Sequence, residues 1–252
     1  MIRPMGERHR SLRKKMEKAI LDYGMIEKGD RILLGVSGGA DSLGLLELFL
    51  GDFIHVTNDY SLVAAHVDMG FRGSRHSNVL KKHFEKLDLP YHIVDTRISD
   101  HALDPKAKKN PCFICSMYRR RHIYEIAHQE QCTKIAYAHH KDDIIETLLI
   151  NILFGRQINT MNPVQEIFHG NMRIIRPLAY VDESDIKAFS REMGLPVESK
   201  VCPMDGKTRR EKIKEIIRNL QMTEKNANIR ENIFRSMQHV LIQFPPSVNR
   251  DP

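Results

Sequence analysis

The chain has 252 residues, of which 41% are hydrophobic and 28% charged, with 39 Lys and Arg against 32 Asp and Glu, and four cysteines. It is long enough to bury a sizeable α/β core and too apolar to be disordered, and its most apolar region, 32–56, is broken by Asp41, Glu47 and Asp52, so no membrane span is expected. The Arg/Lys-rich start lacks the apolar stretch of a secretory signal, which points to the cytoplasm, and the formal charge of +7 favours a polyanionic partner.

Residues 8–27 place Leu12, Met16, Ala19, Ile20 and Tyr23 near helical spacing among Arg10, Arg13, Lys14, Lys15 and Lys18. This predicts a basic amphipathic helix that makes up an N-terminal unit, 1–27. Its basic face could meet RNA, although packing across a sheet edge is the plainer role. Ile32 to Val36 then read as a strand that ends in Ser37-Gly38-Gly39-Ala40-Asp41-Ser42 and passes into a helix carrying Leu43, Leu45, Leu46 and Leu48.

That strand, loop and helix form a phosphate cradle. The glycines let the backbone approach an anion, and the helix N-terminus aims N–H groups at it. Ser37 and Ser42 add hydroxyl donors. Asp41 would repel phosphate unless Mg²⁺ stands between them. The Walker loop needs a lysine where this chain has Asp41, so that reading fails.

Ser61 to Asp68 read as a second strand, and its end, with His66 and Asp68, is expected beside the nucleoside of a bound nucleotide. A helix over 75–88 and a strand over 91–94 follow, and 97–111 reads as a surface loop. This loop delivers Cys112 and Cys115, ahead of a helix over 118–127. A fourth strand covers 133–138, and His139-His140-Lys141-Asp142-Asp143 opens a helix over 144–154. Asp142 and Asp143 can cap that helix, bind Mg²⁺ or handle a proton. The last strand, 174–178, is followed by helices over 182–193, 208–220 and 229–242, with Cys202 in a loop and a Pro-rich tail at the end.

The order predicts an α/β fold: a doubly wound, mainly parallel, five-stranded Rossmann-like sheet with helices on both faces and extra terminal helices. The central unit covers 28–220, and 221–252 holds a C-terminal helix and tail. The basic surplus is local, with seven Lys/Arg against two acids in 97–121 and ten against five in 200–235. Charge gathered beside a reaction centre suits RNA, while solvated helix faces are the plain alternative.

Three of the four cysteines lie in these basic segments. In a cytosolic protein a structural disulfide is not expected, which leaves metal, cluster or thiol chemistry for Cys112, Cys115 and Cys202, with Cys132 assigned to the core. Three thiolates can hold a [4Fe–4S] cluster with one iron open, and Zn²⁺ would need a fourth ligand from His101, His139 or His140. A persulfide relay is the third option. The spacing alone leaves all three open.

Taken together, Ser37–Ser42, Cys112-Phe113-Ile114-Cys115, Ala138-His139-His140-Lys141-Asp142-Asp143, Ile175-Arg176-Pro177-Leu178-Ala179-Tyr180 and Cys202-Pro203 followed by Arg209 resemble the tRNA 2-thiocytidine synthetase family of the PP-loop, or N-type ATP pyrophosphatase, superfamily. The likeness covers about 28–218. It implies the adenine nucleotide α-hydrolase-like fold and ATP and Mg²⁺ on Ser37, Gly38, Gly39, Asp41 and Ser42. On the same basis His66, Asp68 and His139 contact the nucleotide.

The resemblance also implies a [4Fe–4S] cluster on Cys112, Cys115 and Cys202, and catalytic roles for these cysteines with Asp41, Asp142 and Asp143. The implied reaction is ATP-dependent thiolation of an anticodon-loop cytidine, position 32, with release of AMP and pyrophosphate. Partners would be tRNA and a sulfur donor, a cysteine desulfurase or sulfide, and relatives suggest a homodimer. Where the family often has lysine this chain has Ala40, and Gly155-Arg156 replaces a glycine pair. The alternatives are a PP-loop sulfur transferase acting on another tRNA nucleoside and a zinc-stabilised, nucleotide-dependent RNA-binding module.

Overall fold

The computed structural model describes residues 6–74, 76–106, 108–197, 202–204, 206 and 208–240. Its strands are β1 (Asp30–Gly35), β2 (Tyr60–Asp68), β3 (Tyr91–Asp95), β4 (Lys134–Ala136), β5 (Val164–Ile167) and β6 (Met172–Ile175). They form one sheet in the order β3-β2-β1-β4-β6-β5, parallel throughout except for the β5–β6 pair.

Around the sheet run α1 (Glu7–Asp22), α2 (Ala40–Phe49), α3 (His76–Lys86), α4 (Ile98–Ala102), α5 (Pro111–Gln129), α6 (Lys141–Ile150), α7 (Glu183–Glu192), α8 (Arg209–Thr223) and α9 (Ile229–Ser236). Successive strand residues face opposite sides. Ile32, Leu34 and Ala64 are buried with residues of α1, α2, α3 and α7, whereas Leu33, Val63 and Ala65 are buried with residues of α4 and α5. A third cluster joins Ile145 of α6 to Ile213 and Ile217 of α8, with Ile229 and Ile233 of α9 packed on it. No helix among the described residues is long and apolar enough to cross a membrane.

The five parallel strands expected are present, and β5 adds an antiparallel edge. Val164-Gln165-Glu166-Ile167 has too few apolar positions to stand out as a strand. Its partner β6 is reached through Phe168 and His169, at φ 52° and 57°, and Gly170 at φ 86°. The stretch expected as loop, 97–111, contains α4, whose Ile98, Ser99 and Ala102 are buried. One turn is too short to show helical periodicity.

Helix α5 starts well before the expected residue 118. Asn110 accepts the Cys112 N–H at 2.9 Å as N-cap, and Pro111 occupies the first turn, where its missing N–H costs nothing. Cys112 and Cys115 therefore stand on the helix rather than in a loop before it. The expected helix 144–154 divides into α6 and a π-helical turn, Asn151–Gly155, closed by Arg156 in the left-handed conformation. The helix expected over 229–242 ends sooner, at Ser236, with Met237 as its C-cap; residues 241–242 and the Pro-rich tail lie outside the described residues.

Helix α1 packs instead of standing free. Leu12, Met16, Ala19 and Ile20 enter the core, while Lys15 reaches Asp182 at 3.1 Å and Asp185 at 2.9 Å, and Arg8 reaches Glu192 at 2.7 Å. Much of its basic face is thus met by the acids at and beyond the start of α7. Helix α7 in turn braces α2. A Cβ on Gly44 would stand 2.7 Å from Cδ1 of Ile186, and Ser190 Oγ donates to the Ala40 carbonyl at 2.7 Å.

Candidate active site

In a doubly wound sheet, ligands bind beyond the carboxyl ends of the strands where the strand order reverses. Here that point lies between β1 and β4, and the segments leaving those two strands are Val36–Gly39 and Tyr137–His140. Both carry polar residues. They bring together residues a hundred positions apart.

The loop after β1 is held by its own serines. Ser37 N–H donates to Ser42 Oγ at 3.1 Å, the two hydroxyl oxygens are 3.1 Å apart, and Ser42 Oγ donates to the Gly39 carbonyl at 3.0 Å. Gly38 has φ 85°, and a Cβ there would stand 3.0 Å from His76 Cδ2. Both the turn and the neighbouring imidazole require glycine. Gly39 is the N-cap of α2, with no side chain bonded to the helix's first N–H groups, which leaves them to face an anion.

Asp41, in the first turn of α2, has a buried Oδ1 with no hydrogen-bond partner. Burial raises its carboxyl pKa, His140 and Lys187 oppose the rise, and Asp143 and Glu183 add to it. A buried carboxylate oxygen beside further acids is a place for a cation.

His66, near the end of β2, donates from Nδ1 to the Val36 carbonyl at 2.8 Å. That bond assigns the unprotonated acceptor role to Nε2, which is buried and unpartnered, and burial keeps the ring neutral. Asp68 is occupied otherwise: Oδ1 accepts the Gly70 N–H and Oδ2 the Ser77 hydroxyl, each at 2.8 Å. It anchors the turn after β2.

At the end of β4, His139 is brought down to about 4, chiefly by burial; Asp143 opposes this, and Arg176, Arg210 and Arg119 reinforce it. Its Nδ1 is buried without a partner, as are Tyr137 Oη and Arg176 Nε. The Tyr137 ring lies 5.7 Å from the His139 ring and covers Gly35, where a Cβ would meet it at 2.8 Å. Arg176 is fixed through its other nitrogens to the Asn162 carbonyl and to Gln165 Oε1. Five buried polar atoms without partners, on Asp41, His66, Tyr137, His139 and Arg176, thus gather along the carboxyl edge of the sheet. Such atoms are costly to leave unpaired, and their gathering marks a polar ligand site.

His140, by contrast, caps α6. The Asp143 N–H donates to His140 Nδ1 at 3.3 Å, and the His140 N–H donates to Asp143 Oδ2 at 3.1 Å. The other Asp143 oxygen is held by Arg210, which also lies 3.3 Å from Glu146. Asp142 accepts the Glu183 N–H at 2.7 Å and Arg230 Nε at 2.9 Å. Both acids therefore carry structural bonds. Asp143 is the one that also shares a field with Asp41 and His139.

Cys112 and Cys115 stand one turn apart on α5, exposed and half-buried, and Cys202 is half-buried ahead of α8. The Cys115 thiol is pushed up by burial and then by Cys202 and Cys112, while Arg119 draws it down. The three thiols share one neighbourhood. Among the described residues no three His, Cys, Asp or Glu side chains close on a single ion. Cys132 is in the core as expected, its thiol pushed up to about 11 by burial.

Sequence reasoning did not select His76, Tyr137, Arg176 or Arg210 as site residues. Arg176 carried a signal, an arginine before proline at a strand end. Tyr137 reads as one residue of the fourth strand, His76 as part of the helix over 75–88 and Arg210 as one charge in a basic helix.

The ATP_bind_3 family model, a PP-loop domain, matches residues 8–221. A tRNA-cytidine(32) 2-sulfurtransferase from Geobacter metallireducens is 34% identical over 240 residues, covering 93% of this chain and 91% of the relative. A protein of the same name from Nitrosospira multiformis is 34% identical over 235 residues, covering 92% and 78%. The U34-tRNA thiolase NcsA from Methanococcus maripaludis, solved with its [4Fe–4S] cluster, superposes with a TM-score of 0.74 at 21% identity, over 94% of this chain and 80% of that one. This likeness shows the shared fold.

Proposed function

The chain belongs to the PP-loop domain family and, within it, to the tRNA-cytidine(32) 2-sulfurtransferases, and from that premise we propose that it thiolates an anticodon-loop cytidine of tRNA at C2, using ATP. The observation that carries the reading is that Cys115, within electrostatic reach of Cys112 and Cys202, packs on the cluster that includes Val67 near the carboxyl end of β2, the sheet end from which the phosphate loop leaves the neighbouring parallel strand β1. A thiol site alone would fit many proteins. Joined to a pyrophosphate cradle, it fits an enzyme that activates an oxygen and replaces it with sulfur.

The C2 oxygen of cytidine is a poor leaving group, so it is first adenylated, with pyrophosphate released. Ser37, Ser42 and the N–H groups of Gly38 and Gly39 hold the leaving pyrophosphate in place. Asp41, with its unpartnered buried Oδ1, would hold Mg²⁺, which would supply charge neutralisation at the pyrophosphate. His66 offers its neutral Nε2 as an acceptor to the nucleoside part of ATP. His139, neutral at physiological pH, and Arg176 line the way between the cradle and the thiols.

Asp143, held between His140 and Arg210, is the acid placed to handle a proton near Asp41, whereas Asp142 positions α6 against α7 and α9. A single zinc ion requires four donors at about 2.0–2.3 Å. Three thiols drawn together without meeting at one point suit a [4Fe–4S] cluster better, since its ligands sit on separate irons. Cys112, Cys115 and Cys202 would hold such a cluster, which would supply the sulfur chemistry that replaces the adenylated oxygen at C2 as AMP departs. Sulfide would provide that sulfur directly, whereas persulfide sulfur from a cysteine desulfurase would first require a two-electron reductant such as a thiol pair.

Incubating the anaerobically reconstituted protein with tRNA, Mg–ATP and sulfide tests the activation step. AMP and pyrophosphate should form only when tRNA is present. Formation of ADP and phosphate would overturn the adenylation.

A further inference from the structure

The serines of the phosphate loop turn their hydrogens on the loop itself. Ser42 Oγ donates to the Gly39 carbonyl at 3.0 Å, so the hydrogen shared between Ser42 and Ser37, whose hydroxyl oxygens are 3.1 Å apart, comes from Ser37. Either serine reaches a phosphate only by giving up a bond that shapes the turn, and Ala40 adds no donor. The backbone N–H groups at the start of α2 remain. A helix start offers the equivalent of about half an elementary charge, far less than a pyrophosphate carries.

One side chain from outside the loop lies against it. A Cβ on Gly38 would stand 3.0 Å from His76 Cδ2 and 3.7 Å from His76 Nε2, so the imidazole edge that carries Nε2 faces this glycine. His76 is the first residue of α3, and Gly38 directly precedes the N-cap of α2. The starts of two helices therefore meet at the loop. Ser77 Oγ donates to Asp68 Oδ2 at 2.8 Å and stands 3.1 Å from Asp95 Oδ1, which pins the start of α3 to the ends of β2 and β3.

The ring is oriented as well as placed. Ser74 Oγ accepts the His76 N–H at 3.4 Å and lies 3.1 Å from His76 Nδ1. With the Ser74 hydroxyl hydrogen directed to Nδ1, the ring hydrogen sits on Nε2, which has no hydrogen-bond partner among the described residues. His66 is the counterpart. Its ring stands T-shaped to that of His76 at 6.4 Å between centroids, but its Nδ1 donates to the Val36 carbonyl and its free Nε2 is an acceptor.

We propose that His76 is a phosphate-binding residue of the ATP site, donating from Nε2 to the β- or γ-phosphate while the N–H groups of the loop hold the same pyrophosphate. This rests on the reading of the loop as the ATP cradle. The donor comes from a separate element, so it reaches the anion without unmaking the turn that Ser37 and Ser42 hold. The two imidazoles then divide the nucleotide: His66 accepts from the nucleoside, and His76 donates to the part that leaves. The α-phosphate, which stays with AMP, is not its target.

The test is titration calorimetry of the full chain with Mg–ATP, Mg–pyrophosphate and AMP, for wild type, His76→Phe and His76→Gln. Phe keeps a ring against Gly38 without a donor, and Gln carries an amide donor to the place of Nε2. His76→Phe should weaken ATP and pyrophosphate roughly ten- to hundredfold, as expected for a lost hydrogen bond to a charged group, and leave AMP unchanged. His76→Gln should bind all three like wild type. In wild type, the nitrogen-15 signal of His76 Nε2, assigned by its absence from His76→Gln, should shift with pyrophosphate and stay in place with AMP.

Pyrophosphate bound as tightly by His76→Phe as by wild type, or an Nε2 signal that ignores it, overturns the contact and leaves ATP-dependent thiolation standing. A loss shared equally by AMP, or by His76→Gln, also overturns it, since the ring would then only hold the loop in shape. A wild-type protein that binds neither ATP nor pyrophosphate overturns the reading of the loop and the contact with it.

Discussion

The backbone N–H of Glu183 donates to Asp142 Oδ2 at 2.7 Å, so a carboxylate at the start of α6 serves the first turn of α7. Its other oxygen holds Arg230 of α9. Replacing Asp142 with Asn keeps the shape but turns an NH₂ group toward one of these donors. Asp142→Asn is expected to lose about 1–2 kcal/mol of stability in urea unfolding. Unchanged stability with abolished ATP use would make Asp142 a catalytic group instead.

Asp41 predicts the reverse. Its carboxyl pKa is raised in the folded protein, so without a cation the ionised form costs stability, and that cost grows as the pH climbs above the ordinary carboxylate value. Asp41→Asn should leave thermal stability at pH 7 equal or higher in the absence of Mg²⁺ while lowering tRNA-dependent AMP formation about a thousandfold. Stability that falls together with activity would contradict the assignment.

Glu146 gives a pH dependence with a definite sign. Burial pushes its carboxyl from 4.5 up to about 7, against the pull of Lys214 and Arg210. The folded state therefore holds a proton that the unfolded state has released. Its contribution is fully present below 4.5 and is lost as the pH rises to about 7, at up to about 1.4 kcal/mol per pH unit. Stability curves of wild type and Glu146→Gln should diverge across this interval and run parallel above it; curves parallel throughout would contradict the shift.

Gly44 and Ile186 test the brace behind the phosphate loop. Gly44→Ala places a methyl 2.7 Å from Ile186 Cδ1 and is expected to cost about 1–3 kcal/mol. Ile186→Val removes that Cδ1. The double variant should recover part of the loss, with a coupling of at least about 0.5 kcal/mol in a double-mutant cycle, and simple additivity would count against the contact.

Much of this was legible in the sequence because the signals are local. The phosphate loop is written in adjacent residues, and the alternating strands report their own burial. The β5 edge and α4 were not legible, since four or five residues give too little periodicity to read. The start of α5 was missed although Asn110-Pro111 is a helix-start signature; the surrounding Lys, Asp and Pro residues masked it. His76, Tyr137 and Arg210 enter the site only through tertiary contact, with Gly38, His139 and Asp143, and nothing near them in the chain announces this. Asp142 and Asp143 show the opposite limit: residue type suggested chemistry, and the fold gives both acids helix-capping work as well.

The cysteines yield a compositional prediction. Cys202→Ser should lower iron and acid-labile sulfide in the anaerobically reconstituted protein by well over half, while Cys132→Ser, in the core and remote from the other thiols, should keep the wild-type content in whatever fraction folds. Equal losses in both variants would sink the three-thiol site.

The most direct test of the central claim is mass spectrometry of nucleosides digested from tRNA after anaerobic incubation with the reconstituted protein, Mg–ATP and sulfide. 2-Thiocytidine should form with wild type and be absent with Asp41→Asn and Cys202→Ser. A thiouridine in its place, or no thiolated nucleoside at all, would contradict it.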